Sequence, residues 1–63
     1  MRNIWRVAVH LTGGDYFEFN IEAKDDLIAR EKAIGCAALE YAVDRDTLHV
    51  NYVETELLVR IED

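Results

Sequence analysis

The chain has one cysteine, no proline, three glycines and two histidines. A single thiol rules out an internal disulfide. One thiol and two imidazoles are too few to complete an ordinary structural zinc site. There is no apolar run of about 18 residues, so no segment has the composition of a membrane-crossing helix. Cations are also scarce: seven Lys and Arg stand against thirteen Asp and Glu, a formal net charge of −6. Phosphate backbones are gripped by clustered Lys and Arg, so direct nucleic-acid binding is not expected. Anionic membrane surfaces are disfavoured for the same reason. The opening segment, MRNIWRVAVHLTGGD, is interrupted by Arg6 and His10 and lacks the continuous apolar stretch of a signal peptide. A lone unpaired thiol fits a reducing compartment, and the expected location is cytoplasmic.

Apolar residues make up 51% of the chain, enough for a folded domain, and 63 residues make one domain over 1–63. A chain this short buries only about 60% of the surface it exposes when unfolded. Small domains supplement such a core with disulfides, a metal or oligomerisation. Oligomerisation is the supplement left.

Residues 4 to 11 alternate, with Trp5, Val7, Val9 and Leu11 on one face. Phe17, Phe19, Ile21 and Ala23 continue that parity, opposed by Tyr16, Glu18, Asn20 and Glu22. Two period-2 runs flanking Thr12-Gly13-Gly14-Asp15 predict a β-hairpin with one buried face. A two-residue loop would set Val9 against Glu18, mixing apolar and charged side chains on one face. A three-residue loop with a left-handed Gly14 restores parity and pairs Val9 with Phe17 and Val7 with Phe19. The competing register pairs His10 with Glu18 and Arg6 with Glu22.

Asp25 is the expected N-cap of a helix running to Val43, with Asp26 in its first turn. At about 100° per residue, Ala29, Cys36 and Val43 form one seam flanked by Leu39 and Ile28; Leu27, Ile34 and Tyr41 form a second, flanked by Ala38. Gly35 within the helix costs up to about 1 kcal/mol against alanine and suggests a close backbone approach. Beyond the polar run Asp44–Thr47, the apolar parity switches between Leu48, Val50, Tyr52 and Leu57, Val59, Ile61, which implies a bulge or a turn near Val53–Thr55; with no glycine or proline there, one long, bulged or bent strand is favoured over a second hairpin.

The expected fold is therefore α+β: a single ββαβ domain with a three-stranded, mainly antiparallel sheet of order 2-1-3. One helix packs on one face, and the last strand is long and bulged or bent. The hairpin spans 3–23, the helix 25–43 and the C-terminal strand region 48–62.

No catalytic, cofactor-binding or metal-binding residues are expected. His10 and His49 have no partner at a defined spacing and read as surface histidines. Asp44-Arg45-Asp46 starts like a calcium loop but lacks its glycine. Gly13-Gly14 has no helix behind it to hold a phosphate. Cys36 reads as a small core residue.

Two surfaces stand out. The stretch Ala33–Val43 carries only one charge, Glu40, and a helix apolar nearly all round needs cover on two sides. One small sheet covers one side. The second seam, Leu27, Ile34, Ala38 and Tyr41, is the expected interface of a homodimer or higher oligomer. The other surface is acidic, at Glu18, Glu22, Asp25 and Asp26, with Glu54, Glu56, Glu62 and Asp63 further on. The expected function is a non-enzymatic protein–protein interaction module. The alternative is an acidic nucleic-acid mimic of phage or mobile-element type, inhibiting a nucleic-acid-binding enzyme through the basic groove of that partner.

Overall fold

The alternating segment that begins the chain forms the central strand. In a computed structural model describing residues 2–62, β1 (Arg2–Leu11) lies between β2 (Tyr16–Ala23) and β3 (Val50–Ile61), antiparallel to both. The order is β2-β1-β3, and a single helix, α1 (Asp26–Glu40), packs on one face. This is the small α+β, ββαβ arrangement. Met1 and the last C-terminal acid, Asp63, lie outside the described residues.

The hairpin takes the register that keeps its apolar residues together, with Val9 opposite Phe17 and Val7 opposite Phe19. Leu11 N–H donates to Asp15 O at 2.8 Å and Gly14 N–H to Leu11 O at 3.1 Å, closing a three-residue loop. Gly14 sits at φ 94°, where a side chain would be strained. The competing register is absent: His10 faces Tyr16 and Arg6 faces Asn20.

Asp25 caps α1, its side chain accepting from Ile28 N–H at 2.9 Å. The helix stops at Glu40 rather than Val43. Ala42 turns left-handed at φ 55°, and this lets Ala42 N–H reach Leu39 O and Val43 N–H reach Ala38 O. Those bonds satisfy carbonyls that a longer helix would have used, and they reverse the chain toward the sheet. A short 3-10 turn, Arg45–Thr47, then delivers β3, which starts at Val50 rather than Leu48.

β3 is one long strand, as expected, but it carries two irregularities and neither lies at Val53–Thr55. One falls where His10 pairs Tyr52 and Leu11 pairs Val50; the other where Ile4 pairs Val59 and Trp5 pairs Leu57. The extra residues are Asn51 and Leu58. Each shift reverses which face the following side chains occupy. Tyr52 therefore joins His10 on the open face instead of following Val50 inward, and Val59 joins Ile4.

The core is thin. Among the described residues its fully buried members are Val7, Val9, Ala29, Ala33 and Ala37, with Leu11 and Ala23 close behind. Trp5, Phe17, Phe19, Ile21 and Ile34 pack around them half-buried. Among the described residues, no helix is long and apolar enough to cross a membrane.

Candidate functional site

The face that α1 turns to the sheet is made of alanine. Ala29, Ala33 and Ala37 are fully buried, and methyl groups alone let the helix lie close on the valines of β1. This stripe runs between the two seams drawn from the sequence, so the helix is rotated relative to both. The large side chains fall at its flanks and back: Leu27 is 65% exposed, Ile28 40% and Leu39 80%.

The four seam residues do not share one exposed patch. Ala38 is buried within the chain and Ile34 packs half-buried against the core. Leu27 is exposed. Tyr41 is partly exposed, edge-on to Phe17 with ring centroids 5.3 Å apart, and its hydroxyl donates to Asp15 Oδ2 at 3.0 Å. That hydrogen bond, followed by partial desolvation, raises the Tyr41 pKa above the ordinary phenol value. Leu27 and Ile34 line an open groove of about 560 Å³ between α1 and β3, together with Arg30, Glu31, Tyr52 and Val53. Arg45 reaches across from the 3-10 turn to pair with Glu31.

The acidic residues are similarly divided. Glu18 pairs with Arg6 at 3.1 Å and Glu22 with Arg2 at 3.6 Å, while Asp25 is occupied as the helix cap. Asp26 stands exposed in the first helical turn. Arg6 also bonds Glu56 at 3.4 Å, linking all three strands across the open face. On that face the cations of β1 sit among the acids of its neighbours, so it is a mixed surface rather than a bare anionic one.

Beside this ladder lies a row of rings that the sequence reading missed. His10 stacks between Tyr16 (5.2 Å) and Tyr52 (4.2 Å), and its Nε2 lies 2.7 Å from Glu54 Oε1. The hairpin register alone would have placed Tyr16 beside His10. Tyr52 required the shift at Asn51. His49 is exposed and serves through its backbone carbonyl, which accepts from Thr12 N–H. No group of three or more His, Cys, Asp or Glu suited to a metal ion occurs among the described residues. Cys36 is a half-buried free thiol.

The two sheet edges show what α1 does besides cover the core. Since Leu11 N–H points to β2, the odd residues of β1 bond to β2 and the even ones to β3. Glu22 opposite Ile4, and Val53 opposite Val9, therefore turn their carbonyls outward along the free edges. Lys32 Nζ donates to Glu22 O at 2.9 Å, and Arg30 Nη2 makes a longer contact to Val53 O at 3.5 Å. One helix thus places a cation on each rim, and charged side chains at an edge oppose pairing with another strand. The Arg30 Nε is buried without a partner among the described residues. Compared with models of protein families, with curated proteins and with solved structures, the chain has no significant match to any of them.

Proposed function

We propose that this chain is a small, acidic, non-enzymatic interaction module that works by protein–protein contact, as a homodimer in the cytoplasm. The observation carrying this reading is the division of side chains around α1. The sheet receives alanines, while Leu27, Ile28 and Leu39 are left 40–80% exposed. Burying a large aliphatic side chain is worth about 1.5–3 kcal/mol, and a domain this small has little stability to forgo. Of the four seam residues, Leu27 and Tyr41 supply exposed surface to such a contact.

Light scattering or sedimentation over a wide range of protein concentration tests the reading. A mass that rises from one chain to two is expected. Apolar association changes little between low and high salt, whereas docking of an acidic surface into a basic groove weakens steeply. A single-chain mass at every concentration refutes self-association.

A further inference from the structure

We draw no further inference here: the strongest candidate, the open groove between α1 and β3 lined by Leu27, Arg30, Ile34, Tyr52 and Val53, is a largely apolar surface, and nothing in the structure shows what covers it.

Discussion

Ala42 is the residue whose backbone is least suited to its side chain. Its φ of 55° is the left-handed conformation that closes α1, a position where glycine is usual. A Cβ there costs about 1–2 kcal/mol, part of which glycine returns through its freer unfolded chain. Ala42→Gly should therefore stabilise the fold by roughly 0.5–1 kcal/mol, seen as a higher urea midpoint with unchanged slope. A lower midpoint would mean the strain is relieved elsewhere. Tyr41, next to it, makes a pH-dependent contribution. Its neutral hydroxyl donates to Asp15, which raises the folded pKa. The contribution is complete below the ordinary phenol value and is lost as pH rises through the raised one. Asp15→Asn should bring the phenolate absorbance transition of Tyr41 back down. No movement would show that the bond is absent in solution.

At the scale of elements, the hairpin was legible because two constraints agreed. Parity demanded an odd loop, and Gly14 offered the conformation that such a loop needs. Strand order followed from handedness. The helix face was not legible, because seams drawn through large residues assume that large residues go inward. Here the valines of β1 already fill the sheet surface, and the helix approaches on Ala29, Ala33 and Ala37. The shifts at Asn51 and Leu58 were misplaced for a similar reason. The sequence shows one parity change where the strand makes two reversals, because Val59 and Ile61 keep the parity of Leu57 yet lie on the open face with Ile4 and Arg2. An asymmetry follows. Ala33→Leu should destabilise by about 1–3 kcal/mol through overpacking, while Leu39→Ala should change single-chain stability by less than about 0.5 kcal/mol. Denaturation at low concentration checks both. Equal costs would mean that the helix rotates freely on the sheet.

At the scale of the whole molecule, the long axis extends 38 Å, whereas the 15-residue helix is only about 22 Å long. Cover is therefore partial, and Leu57, on the helix side of β3 beside Trp5, remains 40% exposed. The candidate site was only half legible for a related reason. Sequence showed an excess of apolar helix surface but not where strands would take their share. The edge cations oppose strand pairing along both rims of the sheet. Replacing Arg30 and Lys32 together by alanine should produce higher aggregates with increased β signal in circular dichroism and dye binding. A variant that stays clear at high concentration would show that the rims need no guard.

Those two cations belong to the same fifteen residues that roof the hydrophobic interior. Any fluctuation that lifts α1 off must strip the protection from both outer strands in the same instant. In the crowded cell, the brief lifetime of that roofless form would determine how often such a chain seeds its own misassembly.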